Sequence, residues 1–221
     1  MRDCDLVVQT TGRRALTLRE LREGLTYVNV SSIYFHFWGH FLRPTFTEPE
    51  YNNDFASWAH WHFNDQTLAE RLSVVNPADF PNLEALRQEL VDIVEMRMDE
   101  DENLAWMRAN QQFHFILSKI IVFDTGLEAA DPRGLLELFP RLSSGSIYYH
   151  FIDARRRTPD HHDDFAVWLR DLSEAYRPLW QRITAMDPYF STLPEIKEEL
   201  ITLFQEFFRD WKRGEKGGRH V

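Results

Sequence analysis

Ser32-Ile33-Tyr34-Phe35-His36-Phe37 is written again as Ser146-Ile147-Tyr148-Tyr149-His150-Phe151, a separation of 114 positions between residues 32 and 146. The same separation joins Val8-Gln9-Thr10-Thr11-Gly12 to Val122-Phe123-Asp124-Thr125-Gly126. Further along, Asp54-Phe55-Ala56-Ser57-Trp58 is matched by Asp164-Phe165-Ala166-Val167-Trp168, now 110 positions on (residue 54 to residue 164). Leu83 to Val91 and Leu193 to Ile201 keep that second spacing. Several matches in one order at nearly constant separation mark an internal repeat. The register changes between Arg43/Arg157 and Asp54/Asp164, as expected of a surface loop, where extra length costs little.

Each copy spells a set of helices. Thr17 with Glu20 forms a capping box, and Asp131-Pro132 is a cap followed by proline at the first helical position. Ser32 and Ser146 are the expected caps of an aromatic helix whose apolar stripe is Ile33, Phe37 and Phe41, or Ile147 and Phe151. Pro44 and Pro159 end these helices. A third helix starts at Asp54 or Asp164, and the last presents Leu83, Leu86, Leu90, Ile93 and Val94, or Leu193, Ile196, Leu200, Leu203 and Phe207, on one face. Short β-prone pieces, Leu6–Gln9 and Ile120–Phe123, open the copies, and an acidic hinge at 98–103 separates them. The expected architecture is mainly all-α: two tandem copies of a helical motif packed with pseudo-twofold symmetry, with room for one short strand per copy. Residues 1–103 form the first copy and 104–221 the second, the latter led by a linking helix over 104–119, in one compact unit.

Composition narrows the function classes. With 43% hydrophobic and 14% aromatic residues and only nine glycines, the chain suits packed helices more than a turn-rich sandwich. Its formal charge of −10 repels phosphate backbones, and Arg155-Arg156-Arg157 is followed at once by Asp160, Asp163 and Asp164, so no nucleic-acid partner is expected. No apolar run approaches membrane-span length, so no membrane partner is expected either. Cys4 is the lone cysteine, placed in a fraying terminus, and the expected compartment is the reducing cytoplasm. Glycine-rich phosphate loops, GxSxG, paired-Cys zinc motifs and HExxH are missing from the sequence.

The candidate site residues are those the copies share. His36 and His150 each follow a tyrosine, Tyr34 or Tyr148, by two positions. Near a helix start, an imidazole can donate a proton, bind phosphate or ligate a metal; packed in a core, it satisfies backbone groups. Arg43 and Arg157 can grip an anion bidentately or offset a helix dipole. Trp58 and Trp168 can stack on a sugar but at helical spacing read as core anchors, and Asp54 and Asp164 read as caps. These give a candidate ligand-binding set of Tyr34, His36, Arg43, Trp58, Tyr148, His150, Arg157 and Trp168. His36 and His40, spaced i and i+4, with Asp54 and His62 make the alternative, a divalent-metal site.

The pair of patterns SIY-aromatic-HF and DFA-x-W, in two tandem copies, resembles a bacterial and archaeal family of unknown function over nearly the whole chain. Asp153-Ala154-Arg155 is similar to a Glu-Ala-Arg found there, whereas the first copy departs with Trp38-Gly39-His40. The resemblance implies an association with glycosyltransferase-linked carbohydrate metabolism and brings no catalytic residues. The expected function is a non-catalytic helical module that binds a partner enzyme or a small anionic ligand. The alternative is a metal-dependent enzyme using the His/Asp cluster.

Overall fold

A computed structural model describes residues 1–42, 50–158, 160–188 and 191–217. Arg43, Pro44, Pro159 and the end of the basic tail lie outside the described residues. The protein is mainly α-helical with one two-stranded antiparallel sheet. The chain gathers into two compact units. The N-unit is Leu6–Ile120; the C-unit is Met1–Asp5 together with Ile121–Val221.

β1 (Arg2–Ala15) and β2 (Phe113–Asp124) form a two-stranded ribbon. These strands are much longer than the two β-prone pieces. They also correct the linking helix expected over 104–119: residues 113–119 belong to β2. Phe113 and Phe115 are buried while His114 between them is exposed, a two-residue alternation that pins the segment as a strand. The part of the ribbon made of Leu6 to Ala15 and Phe113 to Ile120 belongs to the N-unit.

In the N-unit the ribbon leads into α1 (Leu18–Tyr27), α2 (Val30–Trp38), α3 (Asp54–Trp61), α4 (Gln66–Ser73) and α5 (Leu83–Glu100). Thr17 caps α1 by accepting from the Glu20 backbone N–H at 3.2 Å, and Glu20 reaches back to the Leu16 N–H at 2.7 Å, as the capping box requires. α1 buries Leu18, Leu21 and Leu25 against the Leu86, Leu90, Ile93 and Val94 face of α5. Arg87 of α5 donates to the carbonyls of Leu25 and Thr26, which the last turn of α1 leaves open. Gly24 lets α1 approach β2, since a Cβ there would collide with the Phe115 ring.

In the C-unit the order is α6 (Pro132–Leu138), α7 (Ser144–Ile147), a π-helical segment over Tyr148–Asp153, α8 (Ala154–Arg157), α9 (Asp164–Leu172), α10 (Arg177–Thr184) and α11 (Leu193–Gly217). Its core joins Ile147, Phe151, Phe165, Leu169, Ile183, Leu200 and Phe204, all at 3% exposure or less. Cys4 sits in this unit's strand, not in a frayed end: it is buried, and its thiol donates to the Gly145 carbonyl at 3.3 Å. Burial, with Asp153, Asp3 and Asp5 nearby, pushes that thiol up to about 12, so it stays protonated and unreactive. Gly145 is required at this approach, because a Cβ would strike the Cys4 carbonyl oxygen and the Asp3 carboxylate.

Candidate functional site

The expected caps are displaced, and the displacement makes the site. α2 is capped by Asn29, not Ser32, and α7 by Ser143, not Ser146. More consequentially, α3 is capped by Asn53 and α9 by Asp163, each accepting from the N–H of the third helical residue, Ala56 at 2.8 Å and Ala166 at 2.9 Å. Asp54 and Asp164 are therefore not the caps. One position further on, their carboxylates turn to the histidines.

The two histidines share one environment. His36 Nδ1 lies 2.8 Å from Asp54 Oδ2, and His150 Nδ1 lies 2.8 Å from Asp164 Oδ2. On the far side of each ring a strand supplies a backbone N–H. Ile116 of β2 donates to His36 Nε2 at 3.2 Å, and Arg2 of β1 donates to His150 Nε2 at 3.0 Å. Because Nε2 accepts, the ring hydrogen sits on Nδ1 and is donated to the carboxylate. A phenylalanine backs each imidazole: Phe55 at 5.2 Å from His36 and Phe165 at 5.7 Å from His150. Each histidine thus ties its aromatic helix to the next helix and to the ribbon, with both nitrogens spent.

This arrangement limits the chemistry. A catalytic His–Asp pair keeps Nε2 open to take a proton from a nucleophile or water; here a main-chain N–H occupies that lone pair. A metal would have to displace the same N–H or the Asp bond. Of the proposed metal ligands, His36 and Asp54 are brought together, at 2.8 Å. His62 is partly buried and its Nδ1 lies 3.0 Å from Asn110 Oδ1, and His40 sits in a 3₁₀ turn with its ring 4.2 Å from Phe41. Among the described residues no group of three or more His, Cys, Asp and Glu side chains could hold a metal ion.

Tyr34 and Tyr148 are core residues. Tyr34 stacks on Trp38 at 4.9 Å, and Tyr148 is fully buried. Trp58 is 3% exposed, packs against Phe63 and Phe113, and donates its indole N–H to the Gln111 carbonyl at 2.8 Å.

The C-unit opens where the N-unit is filled. A cleft of about 750 Å³ is lined by Arg2, Glu128, Tyr149, His150, Arg157, Asp164, Phe165, Trp168 and Asp171, with Met1, Ala129, Leu135 and Val167 completing it. That volume is within the usual range for ligand sites. Three of the candidate residues, His150, Arg157 and Trp168, meet there; Tyr148 does not. Arg157 lies over the Tyr149 ring at 4.1 Å and donates to Asp153, to Asp164 and to the Tyr149 carbonyl, at 2.9, 3.1 and 2.9 Å. Asp153, 2% exposed, also accepts from Arg156 at 2.9 Å. Burial alone would raise Asp164, but hydrogen bonds from His150 and Arg157 and the guanidinium charge hold it below the usual carboxylate range. Sequence reasoning missed Tyr149 and Glu128, and no motif distinguishes them.

A mainly helical chain that holds two part-buried His–Asp pairs and has a cleft beside the second is the class the fold defines. The chain belongs to the family of unknown function DUF5752, whose model matches residues 1–205. It is also similar to the structure of OrfY from Thermoproteus tenax, with a TM-score of 0.79 and 27% identity over 93% of each chain. No curated protein matches it.

Proposed function

We propose that this protein is a non-catalytic binding module, an ancestral helical unit doubled in tandem, whose binding site is the C-unit cleft. The observation that carries the reading is the state of the histidines. In both units each nitrogen has a partner, so the most reactive-looking shared residues act as latches rather than as bases. What remains available for recognition is the cleft wall of Trp168, Tyr149 and Arg2.

We place the module in the cytoplasm, where a lone cysteine stays reduced; no helix among the described residues is long and apolar enough to cross a membrane. The association of similar sequences with glycosyltransferase-linked carbohydrate metabolism makes that setting our choice for its partners. Sugar phosphates and nucleotide sugars are therefore the substrates to try first against the purified chain. The reading expects no turnover, and expects His150→Gln to lower the melting temperature. Turnover abolished by His150→Gln but restored by no change elsewhere would overturn it in favour of catalysis.

A further inference from the structure

The N-unit shows what its own version of the cleft accepts. Trp58 and Trp168 hold the same place in the two DFA-x-W motifs, each behind a phenylalanine that backs a latched histidine. In the N-unit a non-helical stretch of chain, Ala109 to Phe113, bent at Asn110 and Gln111, lies over this place. The Ala109 N–H donates to Leu16 O at 2.7 Å, and the Asn110 N–H donates to His62 O at 2.8 Å. Gln111 O accepts the Trp58 indole N–H at 2.8 Å. Phe113 then inserts its ring 4.7 Å from His36, 5.0 Å from Phe55 and 6.0 Å from Trp58. In the C-unit the corresponding wall of His150, Phe165 and Trp168 borders the open cleft, and the Trp168 indole N–H has no acceptor among the described residues.

The charges of the cleft argue in the same direction. Arg157 is consumed by Asp153 and Asp164, and Glu128, Asp164 and Asp171 all line the space. A phosphate or carboxylate ligand would meet these three carboxylates with its strongest cation already paired. An amide-rich segment with an apolar anchor meets no such cost.

We infer that the C-unit cleft binds a short non-helical polypeptide segment of a partner protein, seating an aromatic side chain against Phe165 and Trp168 while a main-chain carbonyl accepts the Trp168 N–H. This rests on the binding-module reading and names its ligand. Short extended segments recognised through main-chain hydrogen bonds plus one side-chain pocket are an established mode of peptide capture. The N-unit's own segment, Ala109 to Phe113, is the internal precedent.

The test uses the full chain and a synthetic peptide of its own residues 108–116, Arg-Ala-Asn-Gln-Gln-Phe-His-Phe-Ile, followed by the indole N–H resonances in a ¹H–¹⁵N spectrum. The Trp168 resonance is expected to shift saturably while that of Trp58, already bonded within the N-unit, stays in place. Replacing the phenylalanine at the sixth peptide position by alanine should weaken binding at least tenfold. Trp168→Phe, which keeps an aromatic ring but removes the donor, should weaken it several-fold without loss of the folded spectrum. A Trp168 resonance unmoved at millimolar peptide, or binding indifferent to Trp168→Phe, overturns the inference. If glucose 6-phosphate or UDP-glucose shifts that resonance instead, the peptide proposal fails while the module reading survives; turnover of either removes the module reading as well.

Discussion

The N-unit and the C-unit use the same words, His-Asp and Phe-x-x-Trp, to different ends. Both fix an imidazole between a carboxylate and a strand N–H at nearly equal distances. They part at the tryptophan. Trp58 is sealed by Phe113 and spends its N–H on Gln111, whereas Trp168 is only half-buried and faces a cleft. The latch is thus a structural device that needs no ligand, and the tryptophan beyond it is a place that either chain or ligand can occupy.

The sharpest way to break this comparison is to delete the filler. Phe113→Ala removes a ring that is 5% exposed and touches His36, Phe55, Trp58 and Phe115. It should cost about 3–5 kcal/mol in urea denaturation, and Trp58→Ala a similar amount. Trp168→Ala should cost less, about 2 kcal/mol, because its ring is only partly buried whereas Trp58 is 3% exposed. Equal losses for Trp58→Ala and Trp168→Ala would mean the cleft is closed in solution.

The caps supply the next contrast. Asn53 uses both halves of its amide, accepting from Ala56 N–H and donating to Leu72 O at 3.0 Å. Asp163 stands at the matching place with one oxygen on Ala166 N–H and the other, Oδ2, buried without a partner. Burial raises Asp163 to about 6, against the pull of the Ala166 N–H and of Arg155, with Asp164 adding to the rise. A carboxyl raised in the folded state contributes its stability at low pH and loses it as pH climbs through the folded value. The C-unit should therefore weaken as pH rises from about 4, the ordinary carboxylate value, through about 6. Asp163→Asn, which restores the donor the N-unit has, should remove that dependence and gain up to about 3 kcal/mol at pH 8, with little change near pH 3. Thermal melts across this range decide it; a variant that is no more stable at pH 8 would show the ordinary carboxylate to be ionised at no cost.

Much of the fold was legible because it is periodic. The apolar face of α5, the capping box at Thr17 and the Asp131-Pro132 start all stand as read. The latches were not, for a specific reason. Asn53-Asp54 and Asp163-Asp164 each offer two adjacent residues able to cap, and local sequence does not say which takes the helix N-terminus. Only the first does, which frees the second for a histidine 14 or 18 positions earlier. The strand at 113–119 was hidden by the good helix formers around Leu104 and Met107, although the Phe113-His114-Phe115 alternation was present. That Trp58 would be covered and Trp168 open depends on where residues 109–113 travel, a long-range fact with no local signature.

The smallest expected effect tests whether the two latches are energetically alike. Asp54→Asn and Asp164→Asn both leave an oxygen able to accept the Nδ1 hydrogen, so each should cost only about 1 kcal/mol at pH 7. Their acid behaviour adds a sign. Asp164 is held below the ordinary carboxylate range by His150 and Arg157, so its stabilisation is fully present above that range and is lost as pH falls through its lowered folded value. Asp164→Asn should accordingly flatten the acid limb of C-unit stability while leaving the opposite slope between about pH 4 and pH 6 to Asp163. Arg157 keeps Asp153 in the variant, so the Tyr149 stack should persist and the cleft should stay open. An acid limb unchanged by Asp164→Asn would show that the latch carboxylate contributes only as a hydrogen-bond acceptor, and its charge not at all.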